Sequence, residues 1–498
     1  MRTPFLLFYL FICSCMVYAQ IRNDFMLSDS AGSACVKVDV NGKLHTTWNR
    51  NGIYYQLLDS LGFPITEPKN ISYDNFTANP SGIAVNEEYV VVTWRRHSFS
   101  FNSFIMSQLL ALNGDTISGN VMFNDNYFDA ERFNPDVTFL TDTTLIVVWN
   151  GDGPVGKAVY GQISSDLLMH VGGNLVLSDL NTTDRVEQRD ISVTLSRVAS
   201  NDESPNFIVV WMDDRLGSDK VFGRLFSKDG TPLDSSFIIS ENPDFNSACC
   251  PSVIMNPNGE FTIVFNAEFT NLEKNIYLRR FNMYGTPLGN SVRINMDSTY
   301  VVSFSDIATD NDGNTIVIWE HEETYSTPGY LLAQRFSPDN EFVGKNYRVS
   351  TRDSLRDQIF PSVDIKNNKI YTAWTTLETG WDTIWVNIID FNNPPVSINE
   401  EIINIPSKFK LYQNFPNPFN GSTIIKYDIF KQSHVKLTIY NILGNEIIVL
   451  VDKKFIHGSY KINWDGKNNT GYEMASGIYI LELIIDSHKN FIKLMLIR

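Results

Sequence analysis

The feature that most restricts what this chain can fold into is an internal repeat. A short apolar run closed by a large aromatic side chain returns seven times, at residues 44–48, 90–94, 145–149, 207–211, 261–265, 315–319 and 370–374. The closing aromatics are Trp48, Trp94, Trp149, Trp211, Phe265, Trp319 and Trp374, spaced 46, 55, 62, 54, 54 and 55 residues apart. Runs this short and this rich in Val, Ile and Thr read as strands buried on both faces.

Each aromatic sits inside a larger unit. The strand before it often opens on proline, as at Pro80, Pro135, Pro251 and Pro361, where the missing N–H costs a strand least. A tight turn follows, such as Asn41-Gly42, Asn258-Gly259 or Asp312-Gly313, residues that accept the positive φ of hairpin turns. A third strand comes after a variable loop, as in Ile53-Tyr54-Tyr55-Gln56 or Val221-Phe222-Gly223-Arg224, and a turn such as Asp229-Gly230-Thr231-Pro232 leads to a fourth. Four short antiparallel strands in each unit of about 50 residues describe propeller blades. The chain is therefore expected to be all-β, with a seven-bladed β-propeller over residues 20–390. A linear solenoid would need polar caps at its ends, and none stands out. Two segments compete to close the ring by completing the last blade: Phe25-Met26-Leu27-Ser28 and Val396-Ser397-Ile398-Asn399. Closure would remove exposed sheet edges.

The charge balance excludes some partners. Forty Lys and Arg stand against 56 Asp and Glu, a net charge of −16. That opposes nucleic acid, which is held by neutralising phosphates, and no basic amphipathic stretch suits an anionic membrane surface. At the N-terminus, Arg2, the apolar residues 5–17 and Val17-Tyr18-Ala19 form a signal-peptide pattern over residues 1–19, with Gln20 as first mature residue. The apolar run is shorter than the ~20 residues that span a bilayer, and no later segment reaches that length, so no integral membrane protein is expected. Ile12-Cys13-Ser14-Cys15 offers a rival lipoprotein box that fits poorly before Ser14. Beyond residue 19, Cys35, Cys249 and Cys250 remain. An odd count with two neighbours is no disulfide framework. Buried free thiols are expected, and a Cys249–Cys250 bridge would be strained.

Residues 391–408, punctuated by Asn392-Asn393-Pro394-Pro395 and Ile405-Pro406-Ser407, read as a linker. Beyond it, Ile425, Tyr427 and Ile429 alternate with polar residues, as do Val435, Leu437 and Ile439, and Tyr460, Ile462 and Trp464. This period of two predicts a small immunoglobulin-like β-sandwich over residues 409–498. The same region carries Leu411-Tyr412-Gln413-Asn414-Phe415-Pro416-Asn417-Pro418-Phe419-Asn420, then Leu437-Thr438-Ile439-Tyr440-Asn441-Ile442-Leu443-Gly444, Trp464-Asp465-Gly466-Lys467 and Ala475-Ser476-Gly477-Ile478-Tyr479. In that order these motifs resemble the type A sorting domain of type IX secretion. Gly421 departs from the pattern, because many relatives place a third proline there. The resemblance implies handling by the type IX machinery, passage across the outer membrane, cleavage near the start of the domain, and release or attachment to surface lipopolysaccharide.

In a propeller, the loops after the aromatic anchors and those between blades share one face, and loops on a rigid frame are where function is usually grafted. The candidates there are Arg95 and Arg96; Asp213, Asp214 and Arg215; Glu268; Glu320 and Tyr325; and Trp381. Charged groups beside aromatics suit a sugar-binding surface, although a solvated loop taken alone holds the same residue types. Asp213, Glu268 and Glu320 could supply the opposed carboxylates of a glycosidase, a chemistry set by a separation that sequence does not contain. Sialidases are similar in architecture, but their Ser-x-Asp-x-Gly-x-x-Trp boxes are missing. The seven histidines show no metal-binding spacing. Asp310-Asn311-Asp312-Gly313 begins like a calcium loop, lacks the later ligands and reads as a turn. No cofactor is expected. Trp211-Met212-Asp213-Asp214-Arg215 with Gly230-Thr231-Pro232-Leu233 resembles repeats of secreted propellers that bear this same sorting domain. Three functions fit: a module binding a glycan or a surface protein, an extracellular glycosidase, or a structural surface-layer component.

Overall fold

The computed structural model describes residues 20–29, 31–73, 77–97, 103–125, 131–153, 157–166, 168–179, 194–201, 204–269, 273–296, 301–322, 328–350, 356–377, 382–394, 409–412, 414–429, 433–442, 444–455, 458–485 and 488–497. The signal-peptide segment, residues 395–408 of the expected linker, Tyr325 and Trp381 lie outside them. Among the described residues there is no helix. The chain divides into two compact units, residues 1–398 and 399–498.

The first unit is a seven-bladed propeller. Its seven sheets each run outward from an innermost strand: Ala34–Val38, Thr77–Val85, Arg132–Phe139, Thr194–Ala199, Phe245–Met255, Val301–Thr309 and Gln358–Lys366, in blades 1 to 7. Each innermost strand touches that of the next blade, and blade 7 touches blade 1, so the contacts close into a ring. The second strand of every blade carries the repeated aromatic. Trp48, Trp94, Trp149, Trp211, Phe265, Trp319 and Trp374 are all at most 2% exposed.

The repeat exists because each aromatic fills the interface with the blade before it. Trp94 packs with Ile53, Tyr55 and Leu57 of blade 1, Trp211 with Ile146, Val148 and Ile163 of blade 3, and Trp48 with Tyr371, Ala373 and Val386 of blade 7. Seven such clusters, one for each pair of neighbours, make up the core. Large flat rings deliver the most buried area per side chain.

An innermost strand has a sheet neighbour on one side only, so some of its N–H groups need other partners. Side chains of the preceding blade supply them. Asp136 Oδ2 accepts from Val198 N at 3.0 Å, Asp306 Oδ2 from Val363 N at 2.9 Å, and Asp364 Oδ2 from Val38 N at 2.7 Å. The last of these joins blade 7 to blade 1. Closure is completed by Gln20–Ser28, which pairs with Thr383–Asp390 as the outer strand of blade 7. Of the two rival closing segments, the N-terminal one is thus in place; the other, 396–399, lies outside the described residues. Asp24 fastens this strand, accepting from Asn387 Nδ2 at 2.7 Å and Ser350 Oγ at 2.8 Å.

The second unit is a sandwich of a three-stranded sheet (Phe409–Leu411, Thr423–Ile429, Gly458–Trp464) and a four-stranded sheet (Ser433–Asn441, Glu446–Phe455, Gly477–Ile485, His488–Leu496). Ile425, Tyr427, Ile429, Val435, Leu437, Ile439 and Trp464 lie in its core, as their alternation requires. The Asn-Phe-Pro-Asn-Pro-Phe-Asn segment zips onto the last strand. Asn417 Nδ2 donates to Lys493 O at 3.0 Å and its Oδ1 accepts from Met495 N at 2.8 Å. Asn414 is buried and donates to Thr423 Oγ1 at 2.9 Å. Phe419 is buried against Trp464, ring centroids 5.5 Å apart. Phe415, by contrast, is 80% exposed.

Candidate functional site

The second strands of all blades run in the same sense, so the residues that follow the anchors gather at one end of the ring. The innermost strands begin at that same end, and there their pairing slips. In blades 2 to 7 a register shift falls opposite or beside the anchor aromatic. A β-bulge of this kind re-aims the side chain it carries. Four bulge residues, Asn134, Cys250, Phe304 and Phe360, hold positive φ angles of 47°, 57°, 24° and 52°. Backbone strain of this sort clusters at sites of function. Sequence reading singled out Cys250 for its thiol and missed the other three positions. Three of the four directly precede a proline of an innermost strand, which was the signal available.

Phe304 and Phe360, on neighbouring blades 6 and 7, meet edge to face with ring centroids 4.9 Å apart. They stay 38% and 36% exposed, whereas the anchors one strand away are sealed. Beside them lies a group of carboxylates. Glu320 pairs across the sheet with Ser303, next to Phe304. It is 5% exposed, and its Oε2 has no hydrogen-bond partner among the described residues. Burial, reinforced by the charges of Glu322 and Asp357, lifts its carboxyl to about 8. Glu322 is also raised, by burial first and then by Asp357. Asp357 is positioned by Gly329, whose N–H donates to its Oδ1 at 2.8 Å. A Cβ on Gly329 would come within 3.2 Å of Glu322 and 3.7 Å of Glu320, so glycine lets this backbone lie against both acids.

The remaining candidates divide. Asp213 is fully buried, accepting from Trp211 Nε1 at 2.8 Å and from Arg215 Nε at 2.9 and 2.8 Å. Arg215 lies over the Trp211 and Phe222 rings and reaches Asp179 at 3.1 Å. The Trp-Met-Asp-Asp-Arg segment is therefore an internal clasp, and Asp213 has no face left for a ligand. Glu268 pairs with Lys274 at 3.8 Å. Arg95 lies over Phe133, 4.1 Å from its centroid, and burial lowers its pKa. It stands in blade 2 with Arg96, away from the blade 6 acids. Asp214 shares the blade 4 loop with Asp219, whose carboxyl is raised by burial and then by Asp214 and Asp213. The calcium-like segment is a turn: Asp310 Oδ1 accepts from Asp312 N at 3.0 Å and Asn314 N at 2.8 Å. No group of three or more metal-ligating side chains occurs among the described residues.

Residues 413–497 match the family model of the secretion system C-terminal sorting domain. The chain therefore carries a type IX sorting domain and is exported to the cell surface or beyond. No helix among the described residues is long and apolar enough to cross a membrane. No curated protein matches the chain. Among solved structures, a polysaccharide lyase described as a PL25 ulvan lyase is 11% identical, with a TM-score of 0.49, over 74% of this chain and 95% of its own. An α-L-arabinofuranosidase from Fusarium graminearum is 10% identical, with a TM-score of 0.43, over 76% of this chain and 99% of its own. PorZ, a surface component of the type IX secretion system of Porphyromonas gingivalis, is 13% identical, with a TM-score of 0.31, over 93% of this chain and 70% of its own. The carbohydrate chemistry in two of these names belongs to those proteins; the propeller assignment rests on the seven sheets described above.

Proposed function

We propose that this exported propeller is a glycan-binding module whose site lies at the bulged ends of blades 6 and 7. The observation that carries the reading is the exposed Phe304–Phe360 pair beside Glu320, Glu322 and Asp357. Two solvent-facing rings in fixed orientation offer a surface for the apolar face of a sugar, and the carboxyl oxygens of half-buried Glu322 and Asp357 accept hydroxyl protons. The bulges recur around the ring, and on blades 6 and 7 the residues they turn out of the strand are these two aromatics. The reading is tested by presenting the exported full chain to a broad array of bacterial and algal polysaccharides. Saturable retention on one class of glycan is expected, weakened at least tenfold by Phe304→Ala or Phe360→Ala. Retention unchanged in both variants would overturn the site. Silence across the array would favour a protein partner or a surface-layer role.

Glu320 also supports a second reading, glycoside cleavage. A carboxyl that stays protonated near neutral pH is what a general acid needs, and Glu322 or Asp357 would be the partner carboxylate. Release of new reducing ends from a retained glycan, abolished by Glu320→Gln, would establish it; binding without release would leave a module alone.

A further inference from the structure

We propose that Cys249 and Cys250 close into a vicinal disulfide once the chain has left the cytoplasm. The two residues are adjacent on the innermost strand of blade 5, at its bulge, with their sulfurs 3.0 Å apart. Both residues are half-buried. Neighbouring Cα atoms are held about 3.8 Å apart by a trans peptide, whereas ordinary disulfides span about 4.4–6.8 Å. A ring closed through one peptide bond therefore needs a distorted backbone. Blade 5 supplies one: Cys250 stands at φ 57° within the bulge. The comparable bulge positions of other blades hold Asn134, Phe304 and Phe360, so the fold already tolerates this conformation with several side chains. The site faces Glu268 and Lys274, on the end of the ring where the candidate ligand site also lies.

The chemistry requires a disulfide oxidant, of the protein dithiol–disulfide class that operates in exporting compartments. The Cys249 sulfur attacks one sulfur of that disulfide and expels the other as a thiolate. Cys250 then loses its proton, and its sulfur displaces the remaining half. The two cysteine sulfurs give up two electrons and two protons, and the oxidant leaves as a dithiol. Cys249 is suited to the first attack, since the S–H of Cys250 donates to it and lowers its pKa. Cys35 is no competitor: it lies on the innermost strand of blade 1, and burial pushes its thiol up to about 12. Because vicinal rings are strained, this bond is expected to be easily reduced, a reversible clasp and not a permanent staple.

The test is peptide mass spectrometry on full-length exported protein, collected without reductant, acid-quenched and alkylated under denaturing conditions. The peptide holding Cys249 and Cys250 is expected unalkylated and lighter by two hydrogen atoms, while Cys35 is alkylated. Mild glutathione should convert it to the doubly alkylated form, and oxidised glutathione should restore it. Two alkylated cysteines both as collected and after oxidised glutathione would overturn the proposal. So would a link from either residue to a third cysteine.

Discussion

Replacing Glu320 by Gln tests whether this acid is truly buried without compensation. The side chain is 5% exposed and its carboxyl is lifted from an ordinary 4.5 to about 8. Between those two pH values the unfolded chain has released the proton while the native state still holds it. Stability must then fall as pH rises through that window and level off above about pH 8. At about 1.36 kcal/mol per pH unit the full displacement corresponds to at most about 5 kcal/mol. Interiors respond with an effective dielectric near 20, not 4, so about 2–3 kcal/mol is the working expectation. Glu320→Gln has the same shape and no charge to desolvate. It should match the wild type at about pH 5 and exceed it by that amount at about pH 9. Guanidinium unfolding followed by tryptophan fluorescence reads the difference directly, and other titrating groups cancel between the two proteins. Parallel loss of stability in both proteins from pH 5 to 9 would refute the reasoning, as would a variant weaker than wild type at the alkaline end.

Other outcomes follow from the same geometry. Asp213→Ala leaves a buried indole N–H without its acceptor and the Arg215 guanidinium with Asp179 as its remaining carboxylate partner, and should cost about 1–3 kcal/mol. Asp213→Asn, which keeps one oxygen, should cost measurably less in the same denaturant titration. Asp24→Ala strips the closing strand of its ties to Asn387 and Ser350. A loss of about 1–3 kcal/mol is expected, and an unchanged denaturation midpoint would show that closure does not depend on them. Deleting residues 413–497 removes the sorting domain; cell fractionation should then find the propeller retained in the periplasm and absent from surface and medium.

Much of this architecture was open to a reader of the chain. The anchors were visible because ring packing imposes one large aromatic per blade, and a repeated physical demand leaves a repeated residue. The sandwich was visible for a similar reason, since half-buried strands must alternate. The site was much less so. Asp213 reads as a loop carboxylate, yet the indole of Trp211 and the Arg215 guanidinium draw it wholly inside. Phe304 and Phe360 read as ordinary strand residues, and their exposure comes from a register slip that has no local signature beyond, in the second case, a following proline.

The sequence by itself determined what depends on neighbours along the chain: strand length, turn chemistry, the spacing of anchors, and the linear address carried in the sorting motif. Tertiary structure alone decided what depends on neighbours across space. It chose Gln20–Ser28 to close the ring, because that strand finds the open edge of Thr383–Asp390 and places Asp24 against Asn387. It buried Glu320 Oε2 with no partner among the described residues and raised the carboxyl's pKa. It also brought the Phe304 and Phe360 rings together from positions 56 residues apart. Side-chain type and spacing are local properties, but burial, pairing and proton affinity belong to the assembled ring.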